Sequence, residues 1–96
     1  MNLRAFAKGQ PCMVRLNCCM GGTETTVLAH FRLAGTCGTG QKPPDLLGAW
    51  ACQRCHDVCD GRRQSDMSRA EVRLYHAEGV LRTVAELVKL GRLKWT

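Results

Sequence analysis

Short apolar runs separated by turn residues organise the first half of the chain. Residues 1–11 indicate an extended or short helical lead-in, and 12–16 indicate a short β-like run that ends in a glycine-containing turn. The β-branched and apolar run 25–31 predicts one strand, and 46–51 predicts a second. The loop 35–44 between them holds three glycines and two prolines, and its length suggests a functional role.

Helical signals follow the second strand. Residues 52–60 predict a short helix that ends at the next glycine. Ser68 and Glu71 have capping-box spacing, so a longer C-terminal helix is expected over about 69–90. Gly79 is a position where this helix could break. Its buried face is predicted by apolar residues at helical spacing: Leu74, Leu81, Val84 and Val88.

Length and charge narrow the class of protein. The 96 residues predict one α+β domain over 1–96, with a core so small that a metal or another staple is expected. The formal net charge of +6 suits a polyanionic partner, most simply nucleic acid. The charged segment 1–8 lacks the apolar centre of a secretion signal, and no apolar run reaches the length of a membrane span. We therefore expect a cytoplasmic protein without a membrane partner.

A C-x-x-C knuckle, Cys52 and Cys55, opens the short predicted helix. Structural zinc favours four tetrahedral ligands, often thiolates, and such a knuckle places two sulfurs on one ion. Cys12 and Cys19 are expected to complete the site, although spacing alone leaves Cys18 open in place of Cys19. The alternative is that the upstream cysteines are small buried hydrophobic residues.

Two histidines add candidate chemistry. His56 directly follows the knuckle and precedes Asp60 by four residues, so both side chains lie on one helix face. An imidazole and a carboxylate placed together can hold a divalent metal with open coordination positions. The alternative for His56 is the fourth ligand of the zinc site. His30 ends the first strand beside the glycine-rich loop, where a histidine can deprotonate water or simply be a packed residue.

A strand, a histidine, a loop, a second strand and a helix entered through C-x-x-C-H form the layout of the HNH, or ββα-metal (His-Me finger), nucleases. This chain resembles them. More closely, it resembles the lambdoid-prophage proteins of the YbcO type and the related nuclease domain of the phage protein Ref. The matching segments lie between about residues 12 and 63. The pieces ETTVLAH at 24–30 and GTGQKPPDL at 38–46 are more specific to the prophage group than CQRCH at 52–56.

The resemblance implies metal-dependent hydrolysis of DNA phosphodiesters. It gives His30 the role of general base on the attacking water, and His56 the role of ligand to a catalytic Mg²⁺, Mn²⁺ or similar ion. HNH enzymes often carry an aspartate before the first histidine and an asparagine in the middle of the motif. Ala29 stands at the first position, and Asp45 is the nearest polar residue to the second. Asp60 is therefore expected as the second ligand of the catalytic metal.

The sequence thus predicts a zinc-stapled ββα-metal domain over about 12–63 with an additional C-terminal helix. The predicted function is that of an endonuclease in phage or prophage recombination, in the cytoplasm of the bacterial host. DNA is the expected partner, and a recombinase filament is a further candidate. The competing hypothesis is a non-catalytic zinc module that binds DNA or a recombination protein, which would not need His30, His56 and Asp60. The sequence does not fix the oligomeric state.

Overall fold

One long helix and five short elements make up the fold in a computed structural model that describes residues 2–38, 40–41 and 43–93. A two-stranded sheet and three helices in these residues confirm the α+β class. No helix among them is both long enough and apolar enough to span a bilayer. Thr39 and Lys42 of the segment 38–46 lie outside the described residues. In chain order the elements are α1 (Leu3–Ala7), β1 (Val27–His30), a 3-10 turn (Asp45–Leu47), β2 (Gly48–Ala51), α2 (Gln53–Cys59) and α3 (Arg69–Lys89).

The sheet is an antiparallel pair whose two faces differ in character. Leu28 pairs with Trp50, and both pack on one face against α1, the segment around Met13 and the C-terminal part of α3. Small residues of both strands, Ala29 and Ala51 among them, lie in the other cluster, beside the knuckle and the N-terminal part of α3. Small side chains on that face let α2 and α3 approach the strands closely.

Polar contacts fix α3 against the sheet. The Thr83 hydroxyl accepts a hydrogen bond from the Trp50 backbone N–H at 3.0 Å and donates to the Gly79 carbonyl at 2.8 Å. The Ser68 hydroxyl accepts from the Glu71 backbone N–H while the Glu71 carboxylate accepts from the Ser68 N–H, so the predicted capping box is present. The helix therefore begins at Arg69, as the capping-box spacing predicts.

The predicted buried face of α3 is wrong. Leu74 is 57% exposed and Leu81 is 70% exposed, while Val84 and Val88 are only partly buried. The buried face is a mixture of polar, small and apolar residues, which an apolar pattern cannot pick out: Val72, His76, Gly79, Val80, Thr83 and Leu87.

Gly79 does not break α3, which runs through it without interruption. Its missing side chain has a packing role. A Cβ at this position would lie 3.0 Å from the Val14 backbone and 3.1 Å from the Met13 carbonyl oxygen. Glycine therefore lets the segment around Val14 pass directly over the helix.

The two predicted strands, 25–31 and 46–51, are correct in position but too long, and the predicted β-like run 12–16 is wrong. Residues 12–16 form no strand; their extended backbone is attached to the sheet through the Met13 N–H, which donates to the Trp50 carbonyl at 2.7 Å. A non-glycine residue with positive φ, Arg15 at 59°, bends this segment and rules out regular pairing. The second strand begins at Gly48 because the preceding residues form the 3-10 turn, and the first begins at Val27.

Candidate active site and metal centre

Four cysteine sulfurs meet beneath the start of α2. Within the described residues they form the one group of three or more candidate metal ligands: Cys12, Cys19, Cys52 and Cys55. All four sulfurs lie within 4.8 Å of one another, and those of Cys19 and Cys52 are 3.9 Å apart. A tetrahedral Zn²⁺ with bonds of about 2.3 Å separates its sulfurs by about 3.8 Å. The cluster therefore fits a zinc ion with little rearrangement.

The protonation chemistry of the cluster also favours a cation. Hydrogen bonding with the neighbouring Cys55 thiol lowers the pKa of Cys12 well below its ordinary value. The same contact raises the pKa of Cys55, because its proton is shared with a thiolate. Burial raises the pKa of Cys19. Several thiolates this close together ionise only when a positive charge lies among them.

The other cysteines and His56 lie outside this group. The half-buried Cys18 is not one of the four clustered residues, so the geometry favours Cys19 at the position that spacing left open. His56 is likewise absent from the cluster. Burial raises the pKa of Cys59 to about 12, which keeps it a neutral thiol. Cys37 is a partly exposed free thiol in the loop after β1.

His30 is paired with Asp45 across the ends of the loop between the strands. The His30 Nε2–H donates to Asp45 Oδ1 at 2.7 Å, and Arg4 Nε donates to the same oxygen at 3.2 Å. Hydrogen bonding from His30, with a smaller contribution from Arg4, holds the pKa of Asp45 below its ordinary value. The carboxylate fixes the His30 ring so that Nδ1 carries the lone pair of the neutral imidazole.

His56 and Asp60 meet on the exposed side of α2, as their spacing predicts. Asp60 Oδ2 lies 3.3 Å from His56 Nε2 and accepts from an Arg62 guanidinium nitrogen at 2.9 Å. The same nitrogen is 3.4 Å from His56 Nδ1 and 3.6 Å from Asp57 Oδ1. An imidazole and a carboxylate suit an ion that keeps several waters, such as Mg²⁺ or Mn²⁺. Binding of such an ion would replace part of the contact between Arg62 and Asp60.

Both candidate pairs open on a basic surface. A cleft of about 440 Å³ is lined by His30, His56, Asp60 and Arg62, and a neighbouring one of about 480 Å³ shares His30, Asp60 and Arg62. Three of the sequence-predicted site residues, His30, His56 and Asp60, thus line one cleft, while Asp45 contacts the His30 ring from outside that lining. The cationic residues lining the two clefts are Arg4, Lys8, Arg32, Arg62, Arg69 and Arg73.

His76 is a site residue that the sequence analysis missed. It lies buried on α3, and its Nε2–H donates to the Ala29 carbonyl at 2.9 Å. Its ring meets Phe31 edge to face, with ring centroids 5.0 Å apart. Burial lowers the pKa of His76, which keeps the ring neutral. His76 therefore contacts the residues on both sides of His30, Ala29 through its carbonyl and Phe31 through its ring. One sequence signal could have found His76: it follows Val72 by four residues, at helical spacing, on a helix with a capping box.

Comparisons with a family model, with curated proteins and with solved structures each find proteins similar to this chain. The model of the family described as "Putative nuclease YbcO" matches residues 1–92. The chain is 45% identical over 94 residues to "Putative nuclease YbcO" of Escherichia coli strain K12, covering 97% of both chains. It matches "Putative nuclease ybcO" of Enterobacteria phage 82 with the same identity and coverage. A solved structure, "Structure of a putative bacteriophage protein from Escherichia coli str. K-12 substr. MG1655", superposes with a TM-score of 0.77. That chain is 36% identical, and the match covers 94% of this chain and 100% of the other.

Proposed function

Because the chain belongs to the family described as putative nuclease YbcO, we propose that it is a metal-dependent DNA endonuclease of the HNH type. The observation that carries the proposal is the pairing of His30 with Asp45 at 2.7 Å, in a chain whose His30, His56 and Asp60 line one basic cleft. A nuclease needs a base for water, a site for a divalent ion and a cationic path for DNA. These residues supply all three.

His30 is the proposed general base. With its Nε2–H given to Asp45, the neutral ring presents Nδ1 as a proton acceptor toward a water molecule in line with the phosphate. Asp45 is a positioning residue: it keeps the ring orientation and stabilises the imidazolium that forms as the proton is taken. Its depressed pKa keeps it ionised throughout the neutral range.

His56 and Asp60 are the proposed ligands of the catalytic ion. Bound there, a divalent ion would offset the charge that develops on the phosphate and the leaving oxygen. Arg62 already holds Asp60 and faces the same cleft. Its guanidinium has further N–H donors, which suit a phosphate oxygen.

The four-cysteine cluster is the proposed structural zinc site. It links the segment before β1 to the start of α2, and so fixes the helix that carries His56. The core is small, so loss of the ion should unfold the domain rather than loosen it locally. A role in phage or prophage recombination, a recombinase filament as partner and a cytoplasmic location stay predictions from resemblance.

The decisive experiment is relaxation of supercoiled plasmid and cleavage of single-stranded DNA with Mg²⁺, Mn²⁺ or Ni²⁺. His30→Ala should lose about 10²–10⁴-fold in rate while keeping zinc content, thermal stability and DNA affinity. His56→Ala should lose cleavage together with binding of the second ion, which Mn²⁺ titration measures independently of activity. Asp60→Asn should weaken binding of the second ion. Its matched control is Asp66→Asn, at an exposed acid in the turn before α3, which should behave as wild type.

The same assay discriminates the competing zinc-module hypothesis. DNA bound with normal affinity by a protein that cuts neither free DNA nor DNA coated with a recombinase would support a binding module. Cleavage retained in His30→Ala would remove the proposed base, even if the protein remained a nuclease.

A further inference from the structure

Beside the cleft of the proposed mechanism lies the second cleft, of about 480 Å³, which we call the α3 cleft. Its volume is in the range of pockets that hold small ligands. The two clefts share four lining residues: His30, Arg32, Asp60 and Arg62. The rest of the α3 cleft comes from the end of α2 and the start of α3: Cys59, Arg69, Val72, Arg73 and His76. A DNA strand with one phosphate at His30 therefore has a neighbouring nucleotide within reach of the α3 cleft.

Three arginines of the α3 cleft are held by backbone carbonyls rather than by carboxylates. Arg69 donates from both terminal guanidinium nitrogens to carbonyls at the end of α2, at 3.0 and 3.2 Å. Arg73 donates to the Arg32 carbonyl at 3.3 Å, and Arg32 donates to the Gln41 carbonyl at 3.1 Å. None of the three takes part in an ion pair among the described residues. Carbonyls orient the guanidinium groups without neutralising them, so this wall suits a phosphate.

His76 adds a hydrogen-bond acceptor to the same wall. The residue is only 6% exposed, and its Nε2–H is given to the Ala29 carbonyl. In the neutral ring, Nδ1 carries a lone pair. This nitrogen makes no hydrogen bond to a described residue and is not fully buried, so it is accessible from the α3 cleft that His76 lines. A lone pair of this kind suits an N–H donor, which an ionised phosphate lacks and the edge of a base carries.

Arg73 offers a planar group on which a base can stack. Its guanidinium lies over the Phe31 ring at 4.5 Å, and the His76 ring meets Phe31 edge to face. These contacts restrict the guanidinium to a position beside His76. Guanidinium planes stack on the bases of single strands. The α3 cleft thus combines donors for a phosphate, an acceptor for the edge of a base and a planar cation for its ring.

We propose that the α3 cleft binds one unpaired nucleotide next to the phosphate that is cut. On the proposed function, from which this inference starts, the preferred substrate is then DNA that is single-stranded at the cleavage site. In a duplex, the edge of each base is paired and its faces are stacked, so a base enters a cleft only after it has been unpaired and unstacked. An unpaired base avoids that cost.

Fluorescence anisotropy on zinc-loaded His30→Ala protein tests the cleft without cleavage. The probes are an oligothymidylate of about 16 nucleotides, an abasic strand of the same length and a duplex of the same length. The oligothymidylate should bind roughly tenfold or more tightly than either of the others, because it alone can place a base in the cleft without unpairing. Equal binding of the abasic strand would indicate a site for phosphate only and overturn the proposal. Equal or tighter binding of the duplex would overturn the preference for single strands.

Arg73→Gln tests the stacking surface. It should narrow the difference between oligothymidylate and abasic strand to roughly twofold or less. Arg54→Gln is the matched control, because Arg54 is an exposed arginine on α2 that lines neither cleft, and it should keep the full difference. A full difference in Arg73→Gln would remove Arg73 from the site. Circular dichroism and zinc content establish that each variant is folded.

The acceptor on His76 is tested through the probe, because the ring of this residue is buried and its replacement would disturb the fold. An oligothymidylate methylated at N3 of each base lacks the N–H donor and should bind roughly threefold to tenfold more weakly than the unmodified strand. Equal binding would overturn the hydrogen bond to His76. These readouts are separate from cleavage: a wild type that cuts DNA but shows no preference among the probes loses the nucleotide site alone, and a protein that prefers oligothymidylate but cuts nothing loses the nuclease proposal alone.

Discussion

Replacing Asp45 by asparagine isolates the negative charge that faces His30. An asparagine oxygen can still accept the His30 Nε2–H, so the ring keeps its orientation and the substitution is nearly isosteric. What is lost is the attraction between carboxylate and imidazolium as His30 takes a proton. Two unit charges about 4 Å apart interact by about 1 kcal/mol in water and about 4 kcal/mol at an effective dielectric constant of about 20.

The surroundings of Asp45 favour the lower end of that range. The Asp45 side chain is 34% exposed, and Arg4 already offsets part of its charge at the same oxygen. A loss of about 1–2 kcal/mol of transition-state stabilisation corresponds to roughly a 5- to 30-fold fall in the single-turnover rate. Asp45→Asn should therefore rank clearly between wild type and His30→Ala.

The assay is single-turnover nicking of plasmid, with DNA affinity measured separately because removing an acid near the cleft can tighten binding. Asp66→Asn serves as the control for charge lost elsewhere on the surface. Wild-type rates in Asp45→Asn would show that the negative charge of Asp45 contributes nothing to the reaction. A loss as large as that of His30→Ala would show that Asp45 does more than position and stabilise the ring.

Three further predictions concern metal, DNA and packing. Cys19→Ser should lower zinc stoichiometry and unfold the domain, whereas Cys18→Ser should retain the ion; elemental analysis with thermal melts decides, and the reverse result would reassign the ligand. Arg62→Gln should reduce the slope of log binding constant against log salt concentration for DNA by about 1. Arg63 lies outside the two basic clefts, so Arg63→Gln should change the slope less, and equal slopes would indicate that DNA binds elsewhere. Gly79→Val should destabilise the domain by about 1–3 kcal/mol in urea titrations, because a side chain has no room there, and an unchanged midpoint would contradict that close packing.

Features with a local cause were readable from the sequence. The start of α3 follows from a serine and a glutamate three residues apart, and the approach of His56 to Asp60 follows from one helical turn. The knuckle likewise brings Cys52 and Cys55 together through backbone geometry alone. In each case, residues only a few positions apart determine the result.

Features that depend on tertiary contacts were not readable. Asp45 and His30 meet across a loop, so their hydrogen bond follows from the pairing of the strands rather than from spacing. The inward face of α3 escaped detection because His76 and Thr83 are buried through specific hydrogen bonds to strand backbone, which hydrophobicity does not record. The exposed Leu74 satisfies the apolar pattern equally well, so the periodicity predicted the wrong face of α3 as buried.

The position of the thiol cluster in the chain also governs the order of assembly. Cys19 and Cys52 are 33 residues apart, and the segment between them carries His30 and Asp45. Closing a loop of that length costs about 3 kcal/mol of chain entropy beyond a constant, which a structural zinc ion, worth about 10–16 kcal/mol in small sites, readily offsets. On the proposed ligation, a nascent chain cannot close this loop until its knuckle has been synthesised. Capture of the ion would then fix both strands at once, so on the proposed function the supply of zinc would determine when the folded, active form of the chain appears.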